Sequence, residues 1–122
     1  MNFNEYQEKA NPLALYLDKV KEEFPETNPK VFKVLGLCYA ALGLGEVGET
    51  QGKIKKIIRD SGGTITDETK DKIKGELGDI LWYIAAVCME LDIPMDEVAS
   101  YNLEKLFSRK ERGVLTGSGD NR

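Results

Sequence analysis

Apolar side chains recur every three or four residues along this chain, and nowhere do they alternate with polar ones over the length of a strand. The pattern predicts an all-α fold. Phe3 to Lys9 reads as a short helix. Pro12 to Phe24, with Leu13, Leu15, Tyr16, Leu17 and Val20, continues it or forms a second, with Asn11 as N-cap, Pro12 at the first helical position and Pro25 as the stop. Asn28-Pro29 repeats that start signal. A long helix is expected from there to about Asp60, with Val31, Val34, Leu35, Cys38, Leu42, Val47, Ile54, Ile57 and Ile58 as its apolar stripe. Gly43, Gly45, Gly48 and Gly52 thin its middle and allow a kink or break near Leu42 to Gly45. Ser61-Gly62-Gly63 ends it. After a loop at Thr64 to Asp67, the next helix reaches Leu91 and turns Ile73, Leu77, Ile80, Leu81, Ile84, Val87, Cys88 and Leu91 to the core. Asp92-Ile93-Pro94 separates it from a last helix ending near Arg109. Residues 113–122 are rich in glycine, so a flexible tail is expected after one helical domain at residues 1–112.

Composition narrows the reading by exclusion. The 17 basic and 21 acidic residues give a net charge of −4, with no basic stripe of the kind a nucleic-acid surface needs. No window approaches the roughly 20 apolar residues of a membrane span, and the polar N-terminal stretch lacks the apolar run of a signal peptide. A cytoplasmic protein with neither nucleic-acid nor membrane partner is expected. Cys38 and Cys88 sit in apolar helical stretches and are expected to be buried free thiols; no CxxC spacing suggests zinc or redox work. The chain has no histidine, which removes Ser-His-Asp and Cys-His catalysis and the Glu-x-x-His motifs of di-iron bundles.

The candidate chemistry lies in a pattern written twice, Glu46-Val47-Gly48-Glu49 and Glu76-Leu77-Gly78-Asp79. Each copy sets two acids three residues apart, hence on one helix face. Each also places a glycine inside a strong helix, at a cost of about 1 kcal/mol against alanine, as a close approach to a ligand would require. Glu49 and Lys53 fall within about one sixth of a turn of Glu46, and Glu76, Asp79 and Tyr83 take the same three places on the later helix. If the two helices pack, four carboxylates meet. Like charges that close repel, and a hard divalent cation, Mg²⁺ or Mn²⁺, resolves the conflict. The plainer alternative is two solvated faces with pairs such as Glu49–Lys53. Lys53, Lys55 and Lys56 follow the first acid pair, and Lys105, Arg109 and Arg112 share one face of the last helix, which suits either phosphate contacts or an exposed basic helix end. Trp82 fits the core; Tyr83 fits either the core or a stacking role. The Gly117-Ser118-Gly119-Asp120 run can present backbone N–H groups to anions, or simply be a disordered end.

These residues together resemble the MazG nucleotide pyrophosphohydrolases. The resemblance rests on Gly43 to Glu49, Lys53, Glu76 to Tyr83, and Asn102 to Leu106 with Arg109, and covers roughly residues 32–112. It implies an all-α helical bundle completed by oligomerisation, as a homodimer or homotetramer. It implies Mg²⁺ held by Glu46, Glu49, Glu76 and Asp79, and cleavage of nucleoside triphosphates to a monophosphate and pyrophosphate. Glu49 and Glu46 take the catalytic positions, and Lys53, Tyr83, Asn102, Lys105 and Arg109 match positions that contact the nucleotide or support the site. Many members have two consecutive acids where this chain has Gly45-Glu46, so one carboxylate of that pattern is missing. A related hydrolase of phosphoribosyl-ATP or of a modified nucleotide, and a non-catalytic helical oligomerisation module, are the alternatives.

Overall fold

The computed structural model describes residues 1–122 as helices joined by short turns, with no strand. The α-helices are α1 (Phe3–Ala10), α2 (Tyr16–Glu23), α3 (Pro29–Gly43), α4 (Glu46–Ser61), α5 (Asp67–Glu90) and α6 (Met95–Glu111); a 3-10 turn, Asn11–Leu13, follows α1. Local chemistry sets most boundaries. Asn2 and Glu5 form a capping box on α1. The Asn28 side chain accepts from the Val31 N–H ahead of Pro29, and Thr66 accepts from the Thr69 N–H at the start of α5. Gly62, at φ 57°, closes α4 in the left-handed conformation that glycine adopts without strain.

The expected helix from Pro12 to Phe24 is divided. Asn11 does not cap it; it is helical itself and closes α1. Ala14 leaves the helical region at ψ 58°, and α2 starts only at Tyr16. The reason is tertiary. The turn buries Ala14 and Tyr16 while Leu13 and Leu15 stay exposed, and the Tyr16 hydroxyl donates to Glu90 at 2.8 Å.

The break near Leu42 to Gly45 is present. The N–H groups of Leu44, Gly45, Val47 and Gly48 each bond three residues back, so the chain tightens there without reversing. Helices α3 and α4 therefore run in succession along α5, antiparallel to it. Gly36 faces Glu90, Ala40 packs with Ala86, Gly43 faces Tyr83, and Lys53 pairs with Glu76. Gly36, Ala40 and Gly43 make one narrow face of α3 that lets α5 come close. Cys38 lies about 200° round from Gly36. It is exposed, contrary to expectation, while Cys88 is buried.

The core has two small clusters. Ala10, Ala85, Cys88 and Met95 form one, and Ala14, Tyr16, Ala40 and Ala86 the other; Trp82 packs against both. Helix α6 docks on α1 through polar side chains that the sequence pattern did not suggest. Gln7 Oε1 accepts from the Met95 N–H and Asn4 Oδ1 from the Asp96 N–H, both at 3.1 Å, so α1 caps α6 in place of a local N-cap.

Only 12 of the 122 residues are buried in the single chain, and Val34, Leu42, Ile54, Ile58, Leu103 and Phe107 are exposed. Within Pro29–Ser61 one window reaches a mean hydropathy of 1.5, high enough for a membrane span by length and composition, where none was expected. The tightened turn divides that stretch into helices of 15 and 16 residues, each short of the roughly 20 that a span requires.

Candidate metal centre

The two acid pairs reach one place by different routes. Glu46 opens α4, directly after the break, where the unpaired N–H groups of a first turn favour a carboxylate. Glu76 and Asp79 sit one turn apart in the middle of α5. One oxygen from each of Glu46, Glu76 and Asp79 lies within 4.8 Å of the other two. Glu49 stands outside that trio. It is exposed in the first turn of α4, close enough for its charge to act on Lys53.

Lys53 is the cation within the cluster. Its Nζ meets Glu76 Oε1 at 2.8 Å, and this hydrogen bond, then the charges of Glu76 and Glu49, raise the lysine pKa. One ammonium against four acids leaves negative charge unbalanced. Further along the hairpin of α4 and α5, Lys53, Lys56 and Lys72 line an open groove with Asp60, Ser61 and Thr69, and Lys72 pairs with Glu68 at 2.8 Å.

Tyr83 stands a turn along α5 from Asp79. Its ring lies edge-on to Trp82, with centroids 5.0 Å apart, and packs where a side chain on Gly43 would otherwise go. Burial first, then the charges of Tyr39, Glu46 and Asp79, raise its phenol pKa. Trp82 is a core residue, as expected. Gly48 and Gly78 have open space beside them, so no protein group makes the close approach their positions suggested.

Three of the expected residues are not brought to the acids within one chain. Asn102 is exposed on α6, Lys105 lies 5.9 Å from the centre of the Tyr101 ring, and Arg109 is buried with Nη2 donating to the Asp120 carbonyl at 2.8 Å. Conversely, Tyr6 was not anticipated. It reaches from α1 toward α5, and its pKa is raised by burial and then by Asp79. Glu90 was also missed. It is buried between Tyr16, which donates to it, and Lys33 at 3.7 Å. Both depend on contacts between distant segments, and the one local signal is that Glu90 lies on the same α5 face as Glu76, Asp79 and Tyr83.

Residues 37–114 match the MazG nucleotide pyrophosphohydrolase domain. The Gene 37 protein of Mycobacterium phage L5 is 52% identical over 88 residues, which is 71% of this chain and 77% of that protein. No solved structure gives a significant match. The matched span holds both acid pairs, Lys53, Tyr83 and the α6 residues, on an all-helical body, and the chain belongs to the MazG nucleotide pyrophosphohydrolase family.

Proposed function

We propose that this protein is a Mg²⁺-dependent nucleoside triphosphate pyrophosphohydrolase that converts a (d)NTP to the (d)NMP and pyrophosphate. The observation that carries the proposal is the meeting of Glu46, Glu76 and Asp79 within 4.8 Å across two helices. Three hard oxygen donors with one lysine between them suit Mg²⁺ or Mn²⁺. A cation bound there supplies positive charge beside the phosphates and lowers the pKa of water.

The chain's own groups divide the remaining work. Glu49, exposed beside Lys53, orients the attacking water and takes its proton, with Glu46 as the second candidate base. The water oxygen bonds to the α-phosphorus, the bridge to the β-phosphate breaks, and pyrophosphate leaves. Lys53, with Lys56 and Lys72 along the groove, offsets charge on the leaving group. Tyr83 holds the α3–α4 break and flanks the substrate.

The exposed apolar faces of α3, α4 and α6 support a homodimer or homotetramer. A second copy covering them is also the means by which Asn102, Lys105 and Arg109 serve an acid site. Light scattering on the purified chain tests assembly; a monomer at micromolar concentration refutes it. The reaction is tested with a Mg²⁺-dependent panel of canonical and modified (d)NTPs and product identification. Monophosphate with pyrophosphate is expected; diphosphate with orthophosphate refutes the bond assignment. Glu49→Gln should abolish turnover with unchanged helicity, and full activity in that variant removes Glu49 as the base.

A further inference from the structure

The C-terminal stretch carries an arrangement that neither the fold nor the carboxylate cluster explains. Residues 109–122 contain Arg109, Lys110, Arg112 and Arg122 against only Glu111 and Asp120, a positive end on an acidic chain. None of the three arginines pairs with an acidic side chain. They are spent on main-chain oxygens. Arg109 Nη2 donates to Asp120 O at 2.8 Å and Arg112 Nη2 to a carboxylate oxygen of the last residue, Arg122 O, at 3.0 Å. Arg122 folds back and donates to the carbonyls of Val114, Leu115 and Gly119. Gly113, Gly117 and Gly119, all at positive φ, give the chain the turns that close this loop.

Arg109 is the telling member. It is 7% exposed, yet its charge has no counter-ion and one hydrogen bond serves its five donors. Asn11 Oδ1 is the sole sealed side-chain polar atom lacking a partner, so the unused Arg109 nitrogens still reach solvent and can accept a ligand. Guanidinium binds phosphate oxygens in bidentate fashion and more strongly than a neutral carbonyl.

We propose that residues 109–122 form a phosphate-binding strap in which Arg109, Arg112 and Arg122 exchange their present main-chain oxygens for the oxygens of a polyphosphate. That the ligand is a nucleotide rests on the pyrophosphohydrolase reading; the binding itself does not.

The test uses the isotope-labelled 122-residue chain, titrated with sodium tripolyphosphate in EDTA, where the carboxylates have no cation and repel anions. Saturable NMR shifts at the Gly117, Ser118, Gly119 and Asp120 amides are expected, with affinity weakened about tenfold or more in Arg122→Gln. Arg109→Lys, which keeps the charge and loses the planar fork, is the second variant and is expected to weaken binding as well. Unmoved tail amides at millimolar ligand, or parental affinity in both variants, overturn the strap. An α,β-imido nucleoside triphosphate that binds more tightly than tripolyphosphate makes the ligand a nucleotide; equal binding makes it free polyphosphate. Turnover of (d)NTPs with an unmoved tail removes the strap and leaves the enzyme, whereas a shifted tail with no turnover does the reverse.

Discussion

The ring of Tyr83 fills the space that a side chain on Gly43 would need, and so wedges α5 into the end of α3, immediately before the turn that presents Glu46. Gly43→Ala should force the ring aside at a cost of about 1–3 kcal/mol, read by urea denaturation. Glu46 should shift with it, and Mg²⁺ should protect the variant less against heat. Gly48, by contrast, has open space beside it. Gly48→Ala should raise stability by about 0.5–1 kcal/mol through helix propensity alone. Equal stability of Gly43→Ala and the parent would show that Tyr83 is no wedge.

Asp79 lies exposed in the acid trio and has no lysine of its own. Removing its charge relieves repulsion with Glu46 and Glu76. Asp79→Asn is therefore expected to unfold slightly later than the parent in EDTA, by less than about 1 kcal/mol given its exposure. It should also lose most of the rise in melting temperature that Mg²⁺ gives the parent. A parental response to Mg²⁺ in scanning calorimetry would exclude Asp79 from the metal site.

The Tyr16 hydroxyl carries a linked pH prediction. Burial, then its bond to Glu90, lifts this phenol well above its ordinary pKa of 10.0. A pKa raised by folding means that the contribution is whole below about pH 10 and is lost as pH climbs toward the folded value. Tyr16→Phe should cost about 1–3 kcal/mol near neutrality, because buried Glu90 loses its donor. Its stability should then fall less steeply than the parent's above pH 10. Some slope should persist, since Tyr6, Tyr83 and Lys53 are shifted the same way. Parallel curves from pH 9 to 11 would remove Tyr16 from the account.

Gln7 joins α1 to the start of α6 by accepting from the Met95 N–H and donating to the Ile93 carbonyl. Gln7→Ala should cost about 1 kcal/mol, as loss of an N-cap does. Amide exchange at Met95 and Asp96 should quicken before the rest of the chain opens. Unchanged exchange there would mean that α6 does not need the cap.

The helices, the break near Gly43 and the placing of each acid pair on one helix face were legible because each rests on spacing within one helix or on a local stop signal; that Glu46 meets Glu76 and Asp79 while Glu49 stays outside depends on how α4 packs against α5, which spacing alone does not fix. The turn at Ala14 was not, since it follows from Tyr16 reaching Glu90 across 74 residues. Cys38 was misread because its neighbours are apolar all round, and only the narrow Gly36–Ala40–Gly43 face shows which side α5 covers. Likewise, the basic face of α6 could be drawn on a wheel, but its docking on α1 depends on Asn4 and Gln7, side chains with no periodic signature.

The overwound turn at Leu42 to Gly45 joins two properties that would otherwise be independent. Glu46 belongs to the far side of that turn and Glu76 and Asp79 to the unbroken α5, so the geometry of the turn sets how closely the carboxylates gather. Linkage then runs both ways. An agent that draws the three acids together favours this tightened turn over a regular helical one by some factor. Anything that stiffens the turn, including a subunit seated along α3 and α4, must tighten that agent's binding by the same factor. The joint between two helices thereby acts as a dial on affinity.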